Sequence, residues 1–511
     1  MAVVHGVRHR SFLSHTQLTM HLDSQAACRS RRMFILNGVS GEQRTLKIND
    51  PDLNTLNTAL LERVYYHNVD GEYKLVEDPD EKEVNDKLRS FRRSLVSWLG
   101  SSSPVSPEQF AEMYTGRKRT IYDQAVVDFT THGVRRRDAY SDSFVKCEKV
   151  PSNKAPRCIQ PRRPVYNVAV GRYLKPVEHK IYKGIQKVFG SETPVVLKGF
   201  NAVETADILK RKFERFEHTV CLGLDASRFD QHVSQQMLRW EHSIYNAMFE
   251  SNELRKLLKW QVNNIGFGRC DDGWLEYKVS GKRFSGDMNT ALGNCLIMCA
   301  MVHAYAKERG VEIELANNGD DCVVFMEADQ LTKFSRGLDE WFELLGFVMT
   351  KEEPVYDLHE VEFCQCKPVY GSHGLVMCRN FEKAREKDSI CLFDISKPAA
   401  MAKWIGAVGE CGLALASGVP VFQEMYNSFV RHGQPSKLTK SVGWQCGMTM
   451  MAKGLHARYE PVGEDARYSF YVAFGITPDE QVALEEYYRN WVPAPGCMYD
   501  VDLVDVDTAP F

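Results

Sequence analysis

The sequence predicts an α+β fold, in which helices pack against an antiparallel sheet. One observation is the apolar run 219–224, which has the length and composition of a buried strand and ends at Asp225. A second is a pair of short β-type runs on either side of Asn-Asn-Gly at 317–319, which is typical of a hairpin. The third is the helical spacing of apolar residues in 231–260 and 285–309, which places helices between these strands.

The later part of the chain is predicted to be mostly helical. Residues 328–345 are predicted as a helix and 347–350 as a strand, and 380–495 show mostly helical spacing. The apolar run 400–422 contains charged residues and a proline, so it indicates a buried helical region. The sequence therefore predicts no intrinsic membrane span, and any membrane association would need a partner or a further segment.

The composition is that of an ordinary globular protein. Of 511 residues, 44% are hydrophobic and 26% are charged, which suggests several domains or subdomains. The 15 cysteines are scattered without zinc-type spacing, which favours free thiols in a reducing compartment. The net charge of −3 does not by itself indicate a polyanionic partner.

Charge is uneven along the chain. Residues 115–175 contain 14 Lys and Arg against 5 Asp and Glu. A folded segment this basic predicts a surface that contacts phosphate groups. The alternative is a solvated face that only aids solubility.

Two acidic segments are candidates for metal binding. Asp225 follows the buried strand, and Asp320 and Asp321 lie in the hairpin turn. Carboxylates fixed in this way suit Mg²⁺, and two of them side by side can hold a pair of ions. An ordinary Asp-rich turn is the alternative.

Polar residues between these segments could contact a sugar. Thr290 and Asn294 are four positions apart and so share a helix face, downstream of Ser285. They are either hydrogen-bonded core residues or, together with Asp230, a ribose site. Asp230 could instead cap a helix.

The order of these motifs is familiar. D-x4-D, S-G-x3-T-x3-N and G-D-D follow one another, with G-R-K-R at 116–119, basic segments at 144–149 and 155–163, a Lys351 motif and F-C-Q-C at 363–366. The set resembles the palm of positive-strand RNA virus RNA-dependent RNA polymerases, closest to the tombusvirus-like and luteovirus-like plant virus group. The resemblance runs from about residue 110 to 375.

This resemblance implies a right-hand fold with an antiparallel-sheet palm and a mostly helical thumb. The chain then divides into an N-terminal extension (1–104), fingers (105–218), palm (219–260), a fingers insertion (261–284), palm (285–375), thumb (376–498) and an acidic, disordered tail (499–511).

The resemblance also implies residue roles. Asp225 and Asp320 would be the main ligands of two Mg²⁺ ions, with Asp321 nearby and Mn²⁺ as an alternative metal. Lys351 would be the candidate general acid for pyrophosphate, or else a surface lysine. The ribose and nucleotide selection residues would be Asp230, Ser285, Gly286, Thr290 and Asn294.

Two further sets follow from the same resemblance. The first would line the nucleotide and template channel, with Arg157 as the first choice for a phosphate contact: Lys146, Lys149, Lys154, Arg157, Arg162 and Arg163. The second would support the primer end, its cysteines serving for packing: Phe363, Cys364, Gln365 and Cys366.

The expected function is RNA-directed RNA synthesis, a nucleotidyl transfer from NTPs that replicates and transcribes a viral genome. A reverse transcriptase-like polymerase and a catalytically silent RNA-binding replication protein are the alternatives. The expected partners are single-stranded template, nascent RNA and a membrane-anchored viral replication protein, in membrane-associated replication complexes of the host cytoplasm.

Overall fold

The computed structural model describes residues 1–39, 45–437 and 447–493, and the backbone of 499–501. Helices and strands are mixed along this part of the chain, so the α+β prediction is confirmed. The strands, in chain order, are β1 (Ala2–His5), β2 (Leu18–Leu22), β3 (Arg32–Ile35), β4 (Leu46–Lys47), β5 (Tyr66–Val69), β6 (Glu72–Leu75), β7 (Ser141–Val145), β8 (Val150–Pro151), β9 (Cys158–Ile159), β10 (Thr219–Ala226), β11 (Asn263–Cys270), β12 (Gly273–Ser280), β13 (Glu314–Asn318), β14 (Asp321–Glu327), β15 (Met349–Lys351), β16 (Cys366–Gly371), β17 (Gly374–Arg379), β18 (Ile390–Cys391) and β19 (Tyr499–Val501).

The helices surround these strands and make up most of the described residues after 380. They are α1 (Leu53–Leu60), α2 (Glu81–Leu99), α3 (Pro107–Glu112), α4 (Gly116–His132), α5 (Pro164–Leu174), α6 (Glu178–Phe189), α7 (Ala202–Phe213), α8 (Phe229–His232), α9 (Gln235–Phe249), α10 (Asn252–Lys259), α11 (Thr290–Arg309), α12 (Leu331–Ser335), α13 (Leu338–Glu343), α14 (Phe381–Asp388), α15 (Pro398–Ala416), α16 (Phe422–His432), α17 (Met448–Met451), α18 (Glu464–Phe474) and α19 (Pro478–Asn490).

A four-stranded antiparallel sheet, in the order β13-β14-β10-β15, is central to the molecule. Successive side chains along its strands point to opposite faces and pack into two different cores. Leu222 and Val324 pack with α11 on one face, whereas Cys221 and Phe325 pack with α7 and the C-terminal helices on the other. Because both faces are covered by apolar side chains, the strands read as nearly continuous hydrophobic runs.

A second sheet holds the basic part of the chain. Its order is β2-β12-β11-β7-β9, and the hairpin β11–β12 accounts for most of the predicted insertion at 261–284. The Asp-Asp-Gly sequence at 271–273 forms its turn, with Gly273 at a φ of 144°. This hairpin lies between β7 and β2, so segments far apart in sequence share one sheet.

The first 39 residues join distant parts of the molecule. Strand β2 closes an edge of the second sheet, while β1 pairs with β3, and β3 pairs in turn with β18. Val3 and Phe34 are buried in one core with the C-terminal helices. This part of the predicted N-terminal extension is therefore integrated into the fold, in contact with the second sheet and with the C-terminal helices.

Two local predictions need correction. The predicted helix at 328–345 is divided into α12 and α13, because Gly337 between them adopts a φ of 70°. The sequence predicts a disordered tail from 499, but 499–501 form β19, which pairs in parallel with β1. The rest of that tail, 502–511, lies outside the described residues.

The predicted buried helical region corresponds to α15 and the start of α16. Within the described residues, α15 is the one helix long and apolar enough to span a membrane, and 67% of that window is buried inside the protein. It packs closely on α16: a Cβ added at Gly412 would lie 2.2 Å from Tyr426 Cδ1. Such close packing explains the small residues on α15.

Candidate active site

The central sheet brings Asp225 and Asp320 together. Asp225 lies near the end of β10, directly opposite Asp321 at the start of β14, so Asp320 in the preceding turn is its neighbour. Gly319 makes this turn possible with a φ of 85°. The Asn317 side chain secures it, since its Nδ2 donates to the Gly319 carbonyl at 2.7 Å.

The two carboxylates influence each other electrostatically. Burial raises the pKa of Asp225, and the negative charge of Asp320 raises it further, while Lys154 lowers it. Both side chains are nevertheless exposed to the adjoining space. Two acids that repel each other at an open surface are a suitable site for cations.

A cavity of about 700 Å³ adjoins this acidic pair. It is enclosed by the central sheet on one side and by segments 63–64 and 150–160 elsewhere. The predicted site residues that line it are Lys154, Arg157, Asp225, Asp230, Ser285, Asp320 and Gln365. The structure thus brings together acids from both motifs and two of the predicted basic residues.

Asp321 takes a different position. It is not among the described residues that line the cavity, and its Oδ2 accepts a hydrogen bond from the Cys364 backbone N–H at 3.0 Å. Burial raises the pKa of Asp321 to about 6, with a smaller contribution from Asp320. Asp321 therefore stabilises the 363–366 turn through this hydrogen bond. It is also adjacent to Asp320 of the acidic pair.

The 363–366 turn is a strained two-residue hairpin. The Phe363 N–H donates to the Cys366 carbonyl at 2.9 Å, and the reverse bond measures 3.1 Å. Cys364 and Gln365 have φ values of 53° and 60°, a pattern typical of a type I′ turn. Gln365 lines the cavity, whereas Phe363 and Cys366 are buried and Cys364 Sγ accepts from Asn318.

Asp230 and Asn294 are directly hydrogen-bonded. The Asn294 Nδ2 donates to Asp230 Oδ1 at 2.8 Å, and burial raises the pKa of Asp230 to about 6. Asp230 does not cap α8, because Arg228 occupies the N-cap position. Thr290 has a different partner, since its Oγ1 donates to the Phe284 carbonyl at 2.6 Å.

Ser285 and Gly286 dock against the segment that contains β9. Ser285 Oγ donates to the Cys158 carbonyl at 3.3 Å, and Gly286 forms a bridge with Pro161. A Cβ at Gly286 would lie 2.4 Å from Pro161 Cα, so only glycine fits there without a shift of the backbone.

The predicted basic residues separate into two groups. Lys154 and Arg157 line the cavity, and Lys146 and Arg157 both pair with Glu148, at 2.7 and 3.4 Å. The described residues that line the cavity include none of the other four predicted basic residues, which are Lys146, Lys149, Arg162 and Arg163. Lys149 donates to the Lys387 carbonyl, and Arg163 lies 3.7 Å from Asp138.

Arg162 corrects the prediction most clearly. Its side chain is fully buried, where it pairs with Asp287 and donates to Asn264 Oδ1 at 2.8 Å. A buried, fully engaged guanidinium supports the wall of the channel instead of lining it. The sequence showed only its charge and not its partners.

Lys351 lies on β15 at the outer edge of the central sheet. Its Nζ is 3.3 Å from Asp339 Oδ1 and donates to the Ser335 carbonyl at 3.0 Å. It is absent from the described cavity lining. Its predicted role as a general acid remains a prediction.

Four cationic residues that line the cavity are outside the predicted set: Arg63, Arg228, Lys282 and Arg283. Arg63 belongs to a π-helical turn in the N-terminal region, where no motif marks it. Arg228 lies inside the D-x4-D motif, so its sequence position could have indicated that it lies near the acidic pair. Lys282 is 7% exposed with a φ of 68°, and burial lowers its pKa to about 8.

The donor chemistry fits divalent cations with mixed ligands. Among the described residues, no group of three or more His, Cys, Asp or Glu side chains converges on one point. Asp225 and Asp320 would therefore supply part of a coordination shell. Mg²⁺ commonly takes one or two carboxylates, waters and substrate phosphates.

Comparison with known proteins agrees with this geometry. The family model for viral RNA dependent RNA polymerase matches residues 19–494. The chain is similar to the RNA-directed RNA polymerase of Turnip crinkle virus, with 42% identity over 470 residues, covering 90% of this chain and 60% of that protein. It is also similar to those of Maize chlorotic mottle virus (40% identity; 95% and 50% covered) and Melon necrotic spot virus (41% identity; 90% and 59% covered).

The chain spans about half to two thirds of the length of these relatives. The family match covers nearly all of the chain, including every motif around the cavity. The chain belongs to the family of viral RNA-dependent RNA polymerases.

Proposed function

We propose that this chain makes RNA on an RNA template from nucleoside triphosphates, and so replicates and transcribes a viral genome. The observation that carries the proposal is the meeting of Asp225 and Asp320 at a cavity that Lys154 and Arg157 also line. Paired carboxylates beside cationic side chains suit a triphosphate that binds with divalent cations. The names of the relatives support the same activity.

Asp225 and Asp320 would hold the cations. We assign two Mg²⁺ ions, with Mn²⁺ as an alternative; when bound, they would activate the attacking 3′-hydroxyl and neutralise charge on the leaving pyrophosphate. The protein fixes Asp225 on a paired strand and Asp320 on a tight turn. Lys154 and Arg157 add positive charge that attracts the triphosphate.

Asp230 and Asn294 would favour ribose. Their hydrogen bond uses one carboxylate oxygen of Asp230, which leaves the other to accept a 2′-hydroxyl. A deoxyribonucleotide would leave these polar groups without that partner, which lowers its affinity. Lys351 would donate a proton to pyrophosphate, and its side chain would first have to break its ion pair with Asp339.

The right-hand subdivision is also a proposal. We assign the central sheet to the palm, the second sheet with its basic segments to the fingers, and the C-terminal helices to the thumb. What supports this is the position of the acidic pair on the central sheet, at a cavity that residues of the basic region also line.

The test is primer extension on an RNA template with NTPs and Mg²⁺. The wild-type chain should extend the primer, chelation of the metal should abolish extension, and Asp320→Ala should remove it while RNA binding and melting temperature stay close to wild type. Asp329→Ala, which removes an exposed acid just after β14 and at the far end of that strand from the Asp320 turn, is the matched control and should retain activity. Undiminished synthesis by Asp320→Ala would contradict the proposal.

The same assay separates the alternatives. A reverse transcriptase would use dNTPs as well as NTPs, and a silent RNA-binding protein would bind template without extending it. We expect extension with NTPs and strong discrimination against dNTPs, because Asp230 and Asn294 both face the sugar side in our proposal. Equal use of both substrates would favour the reverse transcriptase.

A membrane-anchored viral replication protein is the proposed partner, in replication complexes of the host cytoplasm. The resemblance of the motifs to those of plant virus polymerases supports this, and the relatives are plant virus proteins. Flotation with membranes that carry the viral replication protein, compared with membranes that lack it, tests the partner.

A further inference from the structure

A buried ion pair lies behind the Asp230–Asn294 hydrogen bond. It joins Glu241, on α9, with Arg283, which follows β12. Both side chains are fully buried, and the Arg283 Nη2 donates to Glu241 Oε2. Because burying two charges is costly, such a pair needs further hydrogen bonds to hold it.

Glu241 has those bonds. Its Oε1 accepts from the Tyr245 hydroxyl at 2.7 Å and from Asn289 Nδ2 at 2.9 Å. Asn289 is held in turn, since Gln261 Nε2 donates to its Oδ1 at 2.9 Å. With both oxygens engaged, the carboxylate fixes the position and the plane of the Arg283 guanidinium.

Arg283 then determines which way the Asn294 amide points. Its Nε donates to Asn294 Oδ1 at 3.0 Å, while Asn294 Nδ2 donates to Asp230 Oδ1 at 2.8 Å. An arginine can only donate, so it accepts no amide N–H and allows only the oxygen end of Asn294 to face it. The amide nitrogen must therefore face Asp230.

Gly293 shows how tightly this arrangement is built. A Cβ at this position would lie 2.2 Å from Arg283 Nη2 and 2.4 Å from Glu241 Oε1. These atoms belong to a buried, mutually bonded pair and have little freedom to move. Helix α11 can carry Asn294 past the pair only because the preceding residue lacks a side chain.

We propose that Arg283, held by Glu241, is a positioning residue that sets discrimination between ribonucleoside and deoxyribonucleoside triphosphates. By orienting Asn294, it keeps the Asp230 carboxylate in the position where it accepts a 2′-hydroxyl. This inference rests on the proposed polymerase function and extends it to two residues outside the sugar contact itself.

The test uses Arg283→Lys, which keeps a positive charge for Glu241 but removes the Nε donor and the planar fork. The quantity measured is the ratio of kcat/KM for a ribonucleotide to that for the matching deoxyribonucleotide. We expect this ratio to fall by about tenfold, the effect of one lost charge-assisted hydrogen bond. If Arg283→Lys does not fold, Glu241→Gln, which keeps the side-chain size, should lower the ratio in the same direction.

The same substitution in an Asn294→Ala variant tests whether Arg283 acts through Asn294. In Asn294→Ala, the ratio should already be reduced, and adding Arg283→Lys should change it no further. The matched control is Lys212→Met, which breaks another buried pair, 2.9 Å from Glu314 Oε2, away from the cavity. It should lower the melting temperature and leave the ratio unchanged.

The outcomes are distinct. A ratio unchanged in a folded Arg283→Lys or Glu241→Gln variant would overturn the positioning role, as would an equal effect of Arg283→Lys with and without Asn294. Failure of the wild-type chain to extend any primer on RNA would instead defeat the proposed function.

Discussion

Asp320 and Asp321 are adjacent acids with different surroundings. Asp320 is exposed beside Asp225, whereas the Oδ2 of Asp321 accepts the Cys364 N–H at 3.0 Å. The first side chain is free to bind cations, and the second supports the strained turn at 363–366. Their substitutions should therefore have different consequences.

We expect Asp320→Asn to lower the rate of extension on the order of 10³-fold, because a metal ligand contributes several kcal/mol. Asp321→Asn should stay within about tenfold of wild type, since its amide oxygen can still accept the Cys364 N–H. Asp321→Ala should be worse than Asp321→Asn in activity and melting temperature, because an unpaired buried N–H costs about 1–3 kcal/mol. Extension kinetics and thermal melts of the three variants measure this, and equal loss in all three would contradict it.

Asp230 gives the protein a pH-dependent stability term. Its pKa is about 6 in the folded protein, above the ordinary value, so between about pH 4 and 6 the folded state binds more protons than the unfolded state. Stability from this group is present at low pH and is lost as the pH rises through 6. Asp230→Asn removes this pH-dependent contribution to stability. The melting temperature of the variant minus that of the wild type, measured without metal, should therefore be larger at pH 7.5 than at pH 5. A constant difference between the two pH values would contradict this.

At the scale of elements, the 363–366 hairpin stores backbone strain at the cavity. Cys364 and Gln365 have φ values of 53° and 60°, which cost non-glycine residues of order 1 kcal/mol each. The Asp321 hydrogen bond and the Asn318 contact to Cys364 hold them there. The turn so held places the Gln365 side chain at the cavity.

Gln365→Gly should therefore stabilise the chain by about 1 kcal/mol and slow extension, because it relieves the strain and removes a cavity-lining side chain. Thermal melts and extension rates measure both effects. Asp70→Gly is the matched control, in an exposed turn where Asp70 has a φ of 51°, and it should leave activity unchanged. A lower melting temperature for Gln365→Gly would show that the turn is not strained as argued.

Elements defined by local sequence were predictable, and those defined by distant pairing were not. Strand β10 and the β13–β14 hairpin follow from an apolar run and an Asn-Asn-Gly turn. The meeting of Asp225 and Asp320 depends on the pairing of β10 with β14, and only the resemblance to polymerase motifs implied it. The position of Arg63 at the cavity depends on packing of the N-terminal region, which leaves no local pattern. Arg162 was misplaced because its charge was visible and its buried partner Asp287 was not.

At the scale of the whole molecule, the first 39 residues connect the second sheet with the C-terminal helices. Strand β2 belongs to the second sheet, and β1 and β3 pack with the C-terminal helices. This segment limits how far those two parts can separate. Its own stability comes from buried side chains such as Val3, which is 3% exposed.

Val3→Asp should loosen this connection, because an unpaired carboxylate in an apolar core costs several kcal/mol. We expect a lower melting temperature, faster proteolysis within the C-terminal helices, and weaker retention of primer and template during successive additions. Phe12→Asp changes an 86% exposed residue of the same segment and should leave all three properties close to wild type. If Val3→Asp lowered the melting temperature without changing proteolysis of the C-terminal helices or retention of RNA, the N-terminal segment would stabilise the fold without linking its two sides. If both variants behaved alike, burial of the segment would not be the cause.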